Sequence, residues 1–205
     1  MSELTYEPDN GINPLETYEW DSTWWEHTEI GNIPVYLYIG DSISNGTRPS
    51  LNRLADGKRL FDGFATSKAL DNPFFVPSLE LFMKQGRKYS AILFNNGLHG
   101  WHINDGEEYF ALYCKMLDFL VSTGIPVYVV LTTNLPDDEK QNQRVIKRNA
   151  LALKAAEKYG CKVIDLYDAS LLCKGKYCGD GVHFHTDGYD VLASRILDKL
   201  KRDVL

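Results

Sequence analysis

Val35-Tyr36-Leu37-Tyr38-Ile39 is a near-continuous apolar run that ends on Gly40-Asp41-Ser42-Ile43. A strand apolar on both faces is expected to be covered on both faces, as in a parallel sheet flanked by helices. The pattern then repeats along the chain. Residues 58–61 read as a weaker strand, Ala91–Phe94 as a third, residues 127–131 as a fourth and Lys162–Ile164 as a fifth. Helical spacing separates them at residues 77–85, 107–122, 137–159 and 186–200, with Thr186 as the expected N-cap of the last. Alternating strands and helices predict βαβ units and a central, about five-stranded parallel sheet. Such sheets carry their functional groups at the carboxyl ends of the strands. Gly40-Asp41-Ser42 and Asn95-Asn96-Gly97 both stand at such ends, so they predict one shared cleft.

Asp180-Gly181-Val182-His183-Phe184-His185 lies far along the chain, ahead of the last helical segment. A serine hydroxyl is a weak nucleophile and needs a base within hydrogen-bond reach and a third group that orients the base. Ser42 supplies the hydroxyl at a strand tip, His183 the imidazole, and Asp180 a carboxylate three residues upstream. His185 has no carboxylate at that spacing, so His183 is the better base. Taken singly, Ser42 reads as a turn or cap residue and Asp180-x-x-His183 as a surface loop. The two together predict a Ser-His-Asp triad.

Bulk composition narrows the remaining classes. The chain of 205 residues suits one domain, and 44% hydrophobic content is enough to bury a core. The formal charge of -6 is diffuse, and no basic run or basic aromatic stripe predicts a nucleic-acid partner. Met1-Ser2-Glu3-Leu4-Thr5-Tyr6-Glu7 has neither a positive nor an apolar leader region, which predicts a cytoplasmic protein. No apolar run reaches the ~18 residues of a membrane span. Of the four cysteines, Cys173 and Cys178 flank Lys-Gly-Lys-Tyr. Four reduced thiols are expected, with a Cys173–Cys178 disulfide as the alternative for an exported protein and no metal site. Residues 1–33 are polar and aromatic-rich, punctuated by Pro8, Gly11, Pro14 and Gly31. Trp20, Trp24 and Trp25 predict an extension packed on a domain of residues 34–205.

Gly40-Asp41-Ser42-Ile43 near the start and Asp180-Gly181-Val182-His183 near the end resemble the SGNH, or GDSL, hydrolases over about residues 33–200. Asn149-Ala150-Leu151-Ala152-Leu153, leading to Val163-Ile164-Asp165-Leu166-Tyr167, resembles the region before that family's catalytic loop. The resemblance implies a three-layer αβα sandwich, flavodoxin-like in topology, that hydrolyses esters, often acetyl groups on sugars, without a metal or cofactor. It implies Ser42 as nucleophile, His183 as base and Asp180 as its orienting carboxylate. It also implies an oxyanion hole from the Ser42 N–H and two further blocks, in both of which this chain departs from the family. The second block falls in residues 61–68, where spacing favours the Ser67 N–H with Gly63 as the alternative. The third reads Asn95-Asn96-Gly97-Leu98-His99-Gly100, and a gapless match puts His99 in the place of the family's asparagine, with Asn95 as the other candidate.

A small-molecule or carbohydrate ester is the expected substrate, since no long apolar lid segment points to long acyl chains. Asp41 and Trp101 are candidate substrate contacts, and Trp24 and Trp25 are further aromatic surfaces on which a sugar ring would stack. An O-acyltransferase would share the triad. A flavodoxin-like binding domain, or an inactive relative, would share the fold.

Overall fold

The computed structural model describes residues 18–203. Six strands form one sheet: β1 (Asp21–Trp24), β2 (Val35–Gly40), β3 (Leu60–Thr66), β4 (Ala91–Phe94), β5 (Val127–Val130) and β6 (Lys162–Ile164), in the order β1-β3-β2-β4-β5-β6. β2 to β6 are parallel, and β1 joins the edge antiparallel to β3, with Asp21 opposite Thr66 and Trp24 opposite Gly63. Helices α1 (Ser42–Ala55), α5 (Leu166–Leu171) and α6 (Thr186–Arg202) cover one face. Helices α2 (Phe75–Met83), α3 (Gly106–Ser122) and α4 (Glu139–Tyr159) cover the other. Each face has its own core. Tyr38, Leu51, Phe61, Leu93 and Ile196 are buried on the first, and Ile39, Phe64, Leu79, Phe94 and Leu117 on the second. Alternate residues of β2 thus serve opposite cores, which is why Val35–Ile39 is apolar throughout.

The architecture is the expected αβα sandwich, with differences in detail. The sheet has a sixth, antiparallel strand, supplied by the segment expected to be a packed extension. Pro8, Gly11 and Pro14 of that segment lie outside the described residues. Its later part is tied in firmly: Trp25 stacks on Phe82 at 4.4 Å. The Glu26 N–H donates to the buried Asp62 carboxylate at 2.8 Å, and Arg87 reaches both that carboxylate and the Glu26 carbonyl. β3 runs later than expected, because Asp62 and Gly63 interrupt the apolar signal although both are buried. Burial pushes the Asp62 carboxyl above the usual carboxylate range. The Glu26 N–H, Arg87 and Tyr89 pull it back only in part. α1 is a helix that the sequence reading did not include, and it holds Gly46 and Pro49 within its length. α6 begins at Thr186 with His185, not Thr186, at the cap, and no cap hydrogen bond forms from the His185 side chain.

Candidate active site

Ser42 is the first residue of α1, at the point where β2 turns into the helix. Asp41, and not Ser42, caps the helix: its Oδ1 accepts the Ile43 N–H at 2.8 Å. Gly40 is required by packing, since a Cβ there would stand 2.7 Å from the Ser44 Cβ. Ser42 keeps its hydroxyl for another partner. That partner is His183, whose Nε2 lies 2.8 Å from Ser42 Oγ across a separation of 141 residues.

His183 sits in a loop closed on itself. Tyr177 and Phe184 form an isolated β-bridge, the Cys178 N–H donates to the His183 carbonyl at 2.7 Å, and the His185 N–H donates to the Lys176 carbonyl at 2.8 Å. Asp180 Oδ2 lies 2.7 Å from His183 Nδ1, and Asp180 Oδ1 accepts the N–H groups of both Val182 and His183 at 2.9 Å. An ionised carboxylate only accepts, so it places the imidazole proton on Nδ1 and leaves Nε2 as acceptor for the Ser42 hydroxyl. Burial raises the Asp180 carboxyl, but the His183 ring and the two backbone N–H groups outweigh it and hold the group below the usual carboxylate range. His185, the competing base, is turned aside, with Nδ1 3.8 Å from Cys178 Sγ. Ser42, His183 and Asp180 thus form one hydrogen-bonded line at the carboxyl edge of the sheet.

No family model and no curated protein sequence matches this chain. Solved structures do. A member of the lipolytic G-D-S-L family from Veillonella parvula superposes with a TM-score of 0.64 at 18% identity, covering 82% of this chain and 98% of that one. An acetyl xylan esterase gives 0.64 at 14% identity, covering 81% of this chain and 99% of the other. The C-terminal catalytic domain of peptidoglycan O-acetyltransferase A from Streptococcus pneumoniae, captured with a methylsulfonyl adduct, gives 0.57 at 19% identity over 84% of this chain and 95% of that one. The fold is that of the GDSL acylhydrolases.

Within this GDSL fold the loops flanking Ser42 differ from what the sequence implies. The Ser67 N–H is not available as an oxyanion donor: it donates to the Trp20 carbonyl at 3.1 Å and continues the β1–β3 ladder, and Ser67 is wholly buried. Gly63, the alternative, lies inside β3 with the Arg48 side chain against it. Asn95 is also committed. Its Nδ2 donates to the Val130 carbonyl at 2.7 Å and to Thr132 Oγ1 at 3.1 Å, which uses both amide hydrogens to tie β4 to β5. Asp41 does not face a substrate. It is 2% exposed, and its second oxygen accepts the Leu98 N–H at 3.3 Å.

The remaining expected donors lie at the start of α1 and on the loop after β4. The Ser42 N–H opens α1 at the positive end of the helix dipole. His99 lies half-buried on the loop after β4, with the Trp20 ring edge-on at 6.1 Å.

Trp101 packs one face against the Arg144 guanidinium at 4.6 Å. Trp24 lies under Arg48 at 5.0 Å, and its indole N–H donates to Glu26. Sequence reasoning did not identify the clamp that shapes the loop after β4. Arg148, almost fully buried, donates to the carbonyls of His99, Gly100 and Ile103, and Arg144 donates to those of Trp101 and Ile103. The signal was present as two arginines four apart on the inner face of α4. Asn149 pairs with both backbone groups of Thr132 at 2.9 Å and fixes the next loop. All four cysteines are unpaired, and Cys173 is buried. No helix among the described residues is long and apolar enough to cross a membrane.

Gly97 joins the two loops. Its φ is +67°, and a Cβ there would fall 1.7 Å from Asp41 Oδ2, a rigid helix cap with nowhere to move. Gly97→Ala therefore combines backbone strain with an impossible contact. It is expected to destabilise the protein by about 3 kcal/mol or more, a fall of roughly 6–12 °C in Tm. Thermal unfolding followed by circular dichroism checks this, and a Tm within about 2 °C of wild type would show that the Asp41–Gly97 contact is not what positions the loop.

Proposed function

We propose that this chain is an SGNH-type serine hydrolase that cleaves a short acyl ester, such as an acetyl group on a carbohydrate or similar polar alcohol. The observation that carries the reading is the Asp180–His183–Ser42 hydrogen-bonded line. In the first step Ser42 Oγ attacks the ester carbonyl as His183 Nε2 takes the hydroxyl proton, and Asp180 stabilises the imidazolium. The oxyanion is held by the Ser42 N–H, aided by the α1 dipole, with the His99 imidazole as second donor. One such donor is worth about 10²–10³ in rate. His183 then returns the proton to the leaving alcohol, and water repeats the sequence on the acyl-serine. Ser42, His183 and Asp180 are the catalytic residues of this account.

Hydrolysis of nitrophenyl esters of graded acyl length by wild type and Ser42→Ala tests the reading. Turnover above the mutant on at least one short ester is expected. Equal rates on every ester would overturn it. An acyltransferase reading is favoured by the likeness to the peptidoglycan O-acetyltransferase catalytic domain. Competition by an added sugar separates the two: a transferase forms acylated sugar at the expense of free acid, and a hydrolase does not.

A further inference from the structure

Ser22 and Trp24 have no part in the chemistry above, yet a line of contacts leads from them to Ser42. Trp24 pairs with Gly63 of β3, and a Cβ on Gly63 would meet the Arg48 side chain of α1 at 2.8 Å. Residues 22 and 24, two apart on one strand, therefore face the α1 side of the sheet. Their contacts agree: Ser22 Oγ donates to Asn45 Oδ1 at 3.3 Å, and the Arg48 guanidinium stands 5.0 Å over the Trp24 ring. The Asn45 N–H donates to the Asp41 carbonyl at 3.0 Å, in the first turn of α1. Asn45 and Arg48 follow Ser42 at intervals of three, along one flank of the helix. β1 and α1 thus run side by side away from the nucleophile, with Ser22 beside Asn45 and Trp24 beside Arg48. Arg48 lies about 9 Å from Ser42 along the helix axis, a distance that a short oligosaccharide spans and a single sugar does not.

Trp24 is exposed but not free to turn. Its indole N–H donates to Glu26 Oε2 at 2.9 Å, and the same oxygen accepts from Arg48 Nη1 at 3.0 Å and from Asn52 Nδ2 at 3.2 Å. Arg48 covers one face of the ring, and the residue is still 52% exposed, so the other face is open to solvent. A ring immobilised beforehand loses little freedom when a ligand stacks on it. Arg48 and Glu26 offset each other's charge, so this flank favours a neutral ligand. The open indole face suits the C–H face of a sugar ring, and the Ser22 hydroxyl and Asn45 amide suit sugar hydroxyls.

On the proposed chemistry His183 protonates the leaving alcohol, so the alcohol part of the substrate lies towards the α1–α5–α6 layer. His183 comes from that layer, where its neighbour Phe184 is buried, and Ser22 and Trp24 stand on the same side. We infer that the flank formed by Ser22, Asn45 and Trp24 binds a neutral oligosaccharide chain that carries the ester, with Trp24 stacking on a sugar remote from the acylated one. The inference rests on the hydrolase reading and extends its substrate from a polar alcohol to a chain of sugars.

The test compares kcat/KM on nitrophenyl acetate and on acetylated xylose, xylotetraose, glucose and cellotetraose for wild type, Trp24→Ala, Trp24→Leu, Trp24→Tyr and Ser42→Ala. In at least one sugar series wild type is expected to favour the tetrasaccharide over the monosaccharide by about tenfold, the scale of burying a few C–H groups. Trp24→Ala should abolish most of that preference, mainly by raising KM on the tetrasaccharide. Trp24→Leu, which keeps apolar cover over Arg48 but no flat face, should do the same, and Trp24→Tyr should restore part of it. Wild type without a chain-length preference in either series overturns the inference, whatever the variants do. A preference that Trp24→Ala and Trp24→Leu leave intact, or an equal loss on mono- and tetrasaccharide, overturns it as well. So does a wild-type dimer on size exclusion that Trp24→Ala dissociates, which assigns the face to a second copy of this chain. In each of these cases Ser42-dependent turnover of nitrophenyl acetate leaves the hydrolase reading standing. Wild type with no Ser42-dependent turnover on any substrate overturns both.

Discussion

Ser42→Ala is expected to lower ester turnover by about 10⁴-fold or more and to leave the melting temperature within about 2 °C of wild type. The two halves of that expectation have separate causes. The hydroxyl is the group that bonds to the acyl carbon, and with it gone only binding and the oxyanion donors remain to help water. Stability is spared because Ser42 is not a structural hydroxyl. The helix is capped by Asp41, and the nearest buried hydroxyls, of Ser44 and Thr47, make their own bonds to the carbonyls of Asp41 and Ile43. The side-chain bond lost is the one to His183. Kinetics on a short ester beside a thermal melt of the same sample checks both halves. A mutant that is inactive because it is unfolded, or one that keeps most of its activity, contradicts the assignment.

Asp180→Asn is expected to cost about 10⁴ in kcat with the loop still formed. The amide oxygen can go on accepting the Val182 and His183 N–H groups, as Asp180 Oδ1 does now. The amide nitrogen would then face His183 Nδ1 and donate to it. That forces the imidazole proton onto Nε2, where it points at Ser42 and cannot take the hydroxyl proton. Acid stability should change as well. The Asp180 carboxyl is held below the usual range in the folded protein. Such a group stabilises the fold above its unfolded value of about 3.9, and the contribution is lost as pH falls through the folded value. The Tm difference between wild type and Asp180→Asn should therefore be larger at about pH 7 than at about pH 3. Thermal melts at the two pH values decide it, and a difference independent of pH would contradict an ionised Asp180 carboxylate held by His183 and the two backbone N–H groups.

The parts of this molecule legible in the sequence are those whose cause is local. Val35–Gly40 is a buried strand because its side chains are apolar or aromatic, and Asp180 reaches His183 because the two are three positions apart in a tight turn. The parts that misled are those whose partners are distant. Ser67 stands where a donor is expected, but whether its N–H is available depends on a carbonyl 47 residues away, just before a strand that hydrophobic alternation does not reveal. Asn95 has the right chemistry, yet its amide is used up by Val130 at the end of the next strand and by Thr132 just after it. Asp41 resembles a substrate contact until its two oxygens are seen to hold Ile43 and Leu98. Arg148 would pass for a solvated helix charge, and only the fold turns it inward onto three carbonyls. The triad is thus written in two short motifs, whereas the shape of the cleft around it is set by long-range contacts.

The central claim is that Ser42 is an activated nucleophile, and covalent labelling tests it without knowledge of the substrate. Wild type, Ser42→Ala and Asp180→Asn are incubated with phenylmethylsulfonyl fluoride, and each is read by intact mass and peptide mapping. The account predicts a single sulfonyl adduct on Ser42 in wild type, none in Ser42→Ala and a much slower one in Asp180→Asn. A folded wild-type protein that stays unlabelled, or that carries the adduct on another residue, would contradict it.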